Sequence, residues 1–286
     1  MKTLTRGRLT PALFIFLFLL CFFQTAPALA ERWSFAVFSD NRNFEEAFRN
    51  VLEEIKSDLP ADPLFPPSEF VVGVGDIDPL PRTVQIHKEV LGAAIPFIPV
   101  RGNHEAPSDV QFMLQTLLPS ERPPVTAYDR QSATFYYDWK NVRLIAIDQY
   151  APYARDLTNQ ALLAWVKKAI ESAEKADHIF ITFHEPYIPD DFLTDPFWGL
   201  LLKHTDKVRA VLIGHTHMFG RRFIPDTYGG IYLINAGNAG AIGHSDRQNT
   251  FVQISVDKKE VLFRAVQTPD KQKKFEVTDK WKIKTP

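Results

Sequence analysis

The stretch Ile95-Pro96-Phe97-Ile98-Pro99-Val100-Arg101-Gly102-Asn103-His104-Glu105 decides how the chain is read. Its first half is a short apolar run of the kind that forms a buried strand. Its second half turns polar at once, so it lies where a strand ends and a loop begins. Sheet proteins place chemistry there, because the sheet holds the loop still while the loop stays open to water. Gly102 permits a tight backbone. Asn103 offers an amide oxygen that binds cations, and His104 moves protons near neutral pH. On its own, such a segment serves equally well as an ordinary turn, so the neighbouring strands must decide.

The same pattern recurs upstream. Arg32–Ser39 reads as a strand ending at Asp40-Asn41-Arg42-Asn43. Phe44–Ile55 then places Phe44, Ala47, Phe48, Val51, Leu52 and Ile55 on one helical stripe. Phe70–Val72 leads through Gly73-Val74 into Gly75-Asp76-Ile77-Asp78-Pro79, with a helix expected over Thr83–Leu91 and a short one over Val110–Leu117. Strand, polar loop and helix in repeated succession imply an α/β fold. Its parallel strands share one C-terminal edge, where the polar loops gather.

Downstream, Leu118–Ser132 is Pro-rich and irregular, either a lid or a crossing. Thr134–Trp139 and Val142–Asp148 form a hairpin around Lys140-Asn141, and Thr158–Ala173 is an amphipathic helix. Ile179–Phe183 is a strand ending at His184-Glu185-Pro186. After the loop Tyr187–Pro196 and a short helix, Phe197–His204, the strand Val208–Ile213 ends at Gly214-His215-Thr216-His217. Gly230–Ile234, Thr250–Val256 and Glu260–Val266 read as antiparallel hairpins closing a second sheet. The basic stretch Lys271–Lys284 is interleaved with acids and reads as a solvated tail.

Residues 1–30 stand apart. Lys2, Arg6 and Arg8 precede the unbroken apolar run Ala12–Phe23, and Ala28-Leu29-Ala30 supplies the small residues of a cleavage site. This is the pattern of a secretory signal peptide cut before Glu31. The run falls short of the ~20 residues of a membrane span. Residues 31–286 are then expected to form a single domain, exported to the periplasm or the medium, with no membrane span after cleavage. Cys21 is the only cysteine in the chain and lies within that segment, so the remainder has no disulfides and no thiolate ligands. Losing the three basic residues takes the formal net charge from −1 to −4. No basic stripe points to nucleic acid.

Five strand ends carry side chains able to bind a cation: Asp40, Asp76, Asn103 with His104, His184, and His215 with His217. Singly, each has a plain structural use; Asp40 or Asp76 would serve as a helix N-cap, and His184 as a core histidine. Together, each directly after an apolar run, they describe a site. If residues 215–217 are extended, both imidazoles fall on one side with Thr216 opposite. The set suits two divalent ions, which such sites hold ~3.5–4 Å apart to act on phosphate esters. Nitrogen and oxygen donors without thiolate favour Mn, Fe or Zn.

The order Asp40 … Gly75-Asp76 … Gly102-Asn103-His104-Glu105 … His184 … Gly214-His215-Thr216-His217 resembles the calcineurin-like metallophosphoesterases, the superfamily that includes purple acid phosphatases. The resemblance runs from about Phe35 to His217. It implies a four-layer αββα sandwich of two mixed β-sheets flanked by helices. It also implies that Asp76 bridges two metals. Asn103, His184 and His215 would complete one metal's ligands, and Asp40 and His217 the other's. His104 would protonate the leaving oxygen or steady the transition state, and a metal-held hydroxide would attack. Two departures stand out. The family's first motif is Asp-x-His, but here it is Asp40-Asn41-Arg42, and a protonated arginine cannot ligate a cation. The tyrosine that purple acid phosphatases place three residues after the Gly-Asp aspartate is here Pro79.

Asp78 or Asn43 would have to fill that gap, or else one metal is weakly held or absent. Arg42 is expected to face the substrate phosphate, or else to pair with a surface carboxylate. His244, Asn235, Asn238, Tyr187 and the Asp190-Asp191 pair are lesser candidates for the site. His87 and His178 read as structural. The expected activity is hydrolysis of a small phosphorylated substrate, a mono- or diester, with one or two divalent ions per chain. A nucleotide pyrophosphohydrolase and a non-catalytic binding protein remain as alternatives.

Overall fold

In the computed structural model, residues 32–42, 44–57, 62–120, 124–128, 132–227, 229–241, 248–268 and 274–284 are described. The strand–loop–helix repeats take shape as β1 (Trp33–Phe38), α1 (Glu45–Ser57), β2 (Ser68–Val74), α2 (Leu80–Leu91) and β3 (Phe97–Val100). The three strands are parallel neighbours. After β3 come α3 (Pro107–Phe112), a π-helical turn at Met113–Leu117 and the short strand β4 (Thr126–Ala127). The hairpin β5 (Phe135–Trp139) and β6 (Val142–Ala146) follows as expected. Then come α4 (Gln160–Glu171), β7 (His178–Thr182), α5 (Pro196–Leu202) and β8 (Val208–Ile213). The last strands are β9 (Phe219–Asp226), β10 (Gly229–Ala236), β11 (Thr250–Val256), β12 (Glu260–Gln267) and β13 (Glu276–Lys284).

The strands form a six-stranded sheet, ordered β13-β12-β11-β1-β2-β3, and a seven-stranded sheet, ordered β4-β5-β6-β7-β8-β10-β9. Both are mixed. Successive side chains of a strand point to opposite faces, and that alternation assembles the layers. On β1, Phe35 faces the second sheet, edge-on to Phe180 of β7 at 5.2 Å between ring centroids. Phe38, three residues on, faces outward and meets Phe48 of α1 at 5.0 Å. On β7, Phe180 belongs to the core between the sheets, while Ile179 and Ile181 join the core under α4 and α5. The fold is therefore a four-layer αββα sandwich. Each fully buried Phe contributes ~1.5–3 kcal/mol by leaving water.

Helix ends follow local chemistry. The Asn159 side chain accepts from Ala161 N at 3.0 Å and starts α4; Asp195 accepts from Trp198 N at 2.8 Å and starts α5. α2 begins earlier than periodicity suggests, because Pro81 sits in its first turn, where no N–H is needed. Asp109 meanwhile takes the Leu80 N–H at 2.8 Å.

The C-terminal third differs from expectation. β11 and β12 extend the first sheet beside β1, with Phe35 opposite Ile254, rather than closing the second. Only β10 joins the second sheet, parallel to β8, with β9 at its edge. The stretch read as a solvated tail contains β13, paired with β12. Its Val277, Trp281 and Ile283 fall on one face, and Trp281 stacks on Phe263 at 5.2 Å. Residues 32–286 form one compact unit, while the expected signal segment lies outside the described residues. Among the described residues no helix is long and apolar enough to cross a membrane.

Candidate metal centre

β1, β2 and β3 in one sheet, and β7 and β8 in the other, end in the same region. Backbone bonds knit their loops together. Asp40 N donates to Gly75 O at 3.1 Å, Gly214 N to His184 O at 2.9 Å, and Ala241 N to Asp40 O at 2.8 Å. Across the sheets, His215 N donates to the Asp40 carboxylate at 2.9 Å. All six residues expected as ligands therefore converge.

They form two clusters that share one residue. Asp40, Asp76 and His217, all buried, each present a ligand atom within 4.8 Å of the others. On the other side, His184 Nε2 lies 3.3 Å from Asp76 Oδ1 and 3.1 Å from Asn103 Oδ1. His215 Nδ1 reaches the same Asn103 oxygen at 3.1 Å. The two histidines of the 215–217 segment therefore serve different clusters. The extended reading of that segment fails because both residues have positive φ, 72° and 59°, which turns the rings apart.

The donor chemistry fits a cation. The His184 Nδ1–H donates to Val74 O at 2.8 Å, which orients the ring and turns Nε2 towards two oxygens. Oxygens converging on one ring nitrogen are satisfied by positive charge in their midst, either a proton on Nε2 or a cation that replaces it. Asp40 Oδ1 is buried and receives no hydrogen bond. Burial opposes charge on His184, yet the carboxylates of Asp76 and Asp40 outweigh it and lift the pKa to about 9. Asp76 moves the other way: burial raises its pKa, but His184 and the His104 N–H hold the carboxyl below its usual value. The field at this point favours positive charge.

A family profile described as calcineurin-like phosphoesterase matches residues 34–219. The chain belongs to that family. Calcineurin-like phosphoesterases depend on divalent metals, in keeping with the buried Asp40–Asp76–His217 group. Among solved structures, the chain is similar to a Vps29 single mutant (D62A) from Entamoeba histolytica, with 12% identity and a TM-score of 0.44 over 88% of this chain and 98% of that one. It is similar to a predicted phosphoesterase from Streptococcus pneumoniae, with 12% identity and a TM-score of 0.41 over 88% and 98%. A hypothetical protein from Thermus thermophilus matches with 14% identity and a TM-score of 0.44 over 89% and 100%. No curated protein matches.

The calcineurin-like site is fitted together by close approaches. A Cβ on Gly102 would lie 2.3 Å from Asp76 N, and one on Gly214 would lie 1.8 Å from Ser39 Oγ. Glu105, quoted above only as part of a motif, is a brace. Its two carboxylate oxygens accept from Ile77 N at 2.7 Å and Gly102 N at 2.6 Å, tying the Asp76 loop to the Asn103 loop. Burial pushes its pKa up to about 7. His104 is more open, its side chain 44% exposed, with Nε2 3.7 Å from Asp76 Oδ2.

Arg42 Nε lies 3.3 Å from Asp78 Oδ1, an ion pair without a hydrogen bond between the two atoms. Burial raises the Asp78 pKa against the pull of Arg42, and the charges of Asp76 and His104 both reach it. Asn43 and His244 lie outside the described residues. Asn235 Nδ2 donates to Gly214 O at 2.8 Å and Asn238 Oδ1 accepts from Gly240 N at 2.9 Å, so both hold turns. Tyr187 is tied down by its hydroxyl to Asp195 at 2.6 Å, and Asp191 caps a turn through Leu193 N at 2.9 Å.

Beside His184 stands a wall of residues whose pairing the sequence does not reveal. Arg101 Nη1 lies 3.3 Å from Asp148 Oδ2, and its guanidinium sits 5.4 Å from the Tyr150 ring centroid. The Tyr150 hydroxyl donates to Glu185 Oε1 at 2.8 Å, while Gln149 exchanges two bonds with the Glu185 backbone at 3.0 and 2.7 Å. Asp148, two residues past β6, is one more polar residue after an apolar run, and that was its only sequence signal.

Proposed function

We propose that this calcineurin-like protein is an exported phosphoesterase that hydrolyses a phosphate mono- or diester at the shared cluster. One observation carries the reading: the Asp76 carboxylate belongs to both donor groups, as a residue bridging two ions must. Asp76, Asn103, His184 and His215 would hold one ion, and Asp40, Asp76 and His217 the other. Mn, Fe and Zn suit these donors. When bound, the ions neutralise phosphoryl oxygens and activate the attacking water.

The chain's own residues supply the rest. Arg42 meets the phosphate with a planar fork of donors. As the bond from water oxygen to phosphorus forms, the bond from phosphorus to the leaving oxygen breaks. His104, open at the mouth beside Asp76, gives the leaving oxygen its proton. Glu105 keeps the two ligand loops in register. The basic and apolar pattern of residues 1–30 supports export to the periplasm or beyond.

The test is metal content per chain together with turnover of aryl mono- and diesters after loading with Mn²⁺. Turnover that falls by about 10²–10⁴-fold in His104→Ala, with metal content unchanged, supports the assignment. Full turnover in that variant overturns the role of His104. The second reading is a binding protein that has lost catalysis. It is favoured by the smaller donor set on the Asp40 side, where Arg42 pairs with Asp78 and ligates nothing. Metal loading without turnover on any ester, pyrophosphates of nucleotides included, would select it.

A further inference from the structure

On the phosphoesterase reading above, the loops beside Asp40 and Asp76 bear on which ester the site accepts. Arg42 lies two residues after Asp40 and Asp78 two residues after Asp76. They leave the ends of adjacent parallel strands, where Phe38 is opposite Gly73. The Arg42–Asp78 pair therefore spans the same two loops that carry Asp40 and Asp76. Both loops are pinned: Asn41 Nδ2 donates to Thr83 Oγ1 at 3.0 Å, and the Leu80 N–H donates to Asp109 at 2.8 Å. The pair is itself half-buried, with side chains 24% and 17% exposed, so it is screened less than a fully exposed ion pair.

The contact is one-sided. Asp78 Oδ1 lies 3.3 Å from Arg42 Nε without a hydrogen bond between the two atoms, and among the described residues no hydrogen bond takes Nη1 or Nη2 either. A guanidinium carries five donors in a fixed plane, and the edge away from Nε suits phosphoryl oxygens. A partly sheltered arginine that is held beside a carboxylate and leaves its outer edge unused is arranged to receive an anion.

We propose that Asp78 and Arg42 form a clamp that makes the site selective for phosphate monoesters over diesters, with Arg42 gripping the substrate and Asp78 as its positioning residue. The chemistry follows from counting oxygens. A monoester has three non-bridging oxygens and carries up to two negative charges; a diester has two and carries one. With one oxygen directed to each donor cluster, a monoester keeps a third for the guanidinium. A diester has an ester group at that place, so its uncharged, bulkier oxygen meets the fork instead.

The test compares 4-nitrophenyl phosphate with bis(4-nitrophenyl) phosphate on the metal-loaded protein, and measures orthophosphate binding by calorimetry. The wild type should favour the monoester. Arg42→Ala should lower kcat/KM for the monoester by about 10–100-fold, the worth of a charge-assisted contact, and for the diester by less than about 3-fold. Asp78→Asn should raise KM for the monoester by about 10-fold with kcat nearly unchanged, and weaken orthophosphate in step. Arg42→Lys, which keeps the charge but not the fork, should recover only part of the loss. Elemental analysis should find the same metal content throughout. Equal loss on both esters, a wild type that prefers the diester, or orthophosphate affinity unchanged in Arg42→Ala would overturn the clamp. A metal-loaded wild type that turns over neither ester would refute the phosphoesterase reading instead. In that event the orthophosphate affinities of wild type and Arg42→Ala still decide the clamp.

Discussion

Burial of His87 should make the fold lose stability in acid. It lies on the inner face of α2, 1% exposed, with its ring 5.2 Å from that of Phe97. Neither ring nitrogen has a hydrogen-bond partner. Burial therefore disfavours the charged form and lowers its pKa from 6.5 to about 4. Because the folded pKa is the lower one, the unfolded chain binds more protons between those values. The stability that this group contributes is complete above about pH 6.5 and is lost as pH falls towards 4. Linkage puts the loss at about 1.4 kcal/mol at pH 5.5 and about 2.5 kcal/mol at pH 4.5. His178 adds a second loss of the same sign. It is buried, with Nδ1 accepting from Arg209 Nε at 2.9 Å, and burial again takes its pKa to about 4. A domain holds only about 5–15 kcal/mol in all, so the two together remove a large share. Urea unfolding of the wild type and His87→Leu at pH 7.5 and 4.5 measures the effect. The wild type should lose about 2.5 kcal/mol more than the variant between the two pH values. The same loss in both proteins, to within about 0.5 kcal/mol, would refute the reasoning.

Gly214→Ala should cost metal before it costs the fold, since its Cβ would displace Ser39 and press on Asp40; elemental analysis and circular dichroism separate the two effects. Stripping divalent ions with a chelator should abolish turnover and lower the thermal midpoint. Adding them back to a hundred times their dissociation constant should restore about 2.7 kcal/mol, read as a shift in urea midpoint. Tyr150→Phe deletes one bond to Glu185 and should cost about 1 kcal/mol in stability, with turnover retained.

The expected donors were legible because each follows a run that could only be a buried strand, and topology then brings such strand ends together. What sequence could not convey was the pairing across loops. Nothing in Glu105 announces that it reaches the backbone of Ile77, or in Arg42 that its partner is Asp78. The His215–His217 segment misled because an alternation argument assumes extended backbone, and both residues instead take positive φ. β13 was missed for a different reason. Its charges outnumber its apolar residues, and only the spacing of Val277, Trp281 and Ile283 marked a half-buried edge. The destination of β11 and β12 depended on register with β1, which periodicity does not encode.

Backbone conformation explains why these donors point where they do. Of the five non-glycine residues with positive φ among the described residues, four are donors: Asp40 at 56°, Asp76 at 51°, His215 at 72° and His217 at 59°. Such conformations cost about 1–3 kcal/mol apiece and persist only where the surroundings over-determine them. Here two sheets hold the loop roots, and the glycines at 102 and 214 let the loops touch. The sandwich that roots these loops therefore bears the strain. Side chains that would otherwise splay along extended loops turn inward, with Asp76 shared between the two donor clusters. The clamp of Arg42 and Asp78 sits on the same two rigid loops, so the donors and the anion-binding edge are set relative to each other by the strands that carry them both.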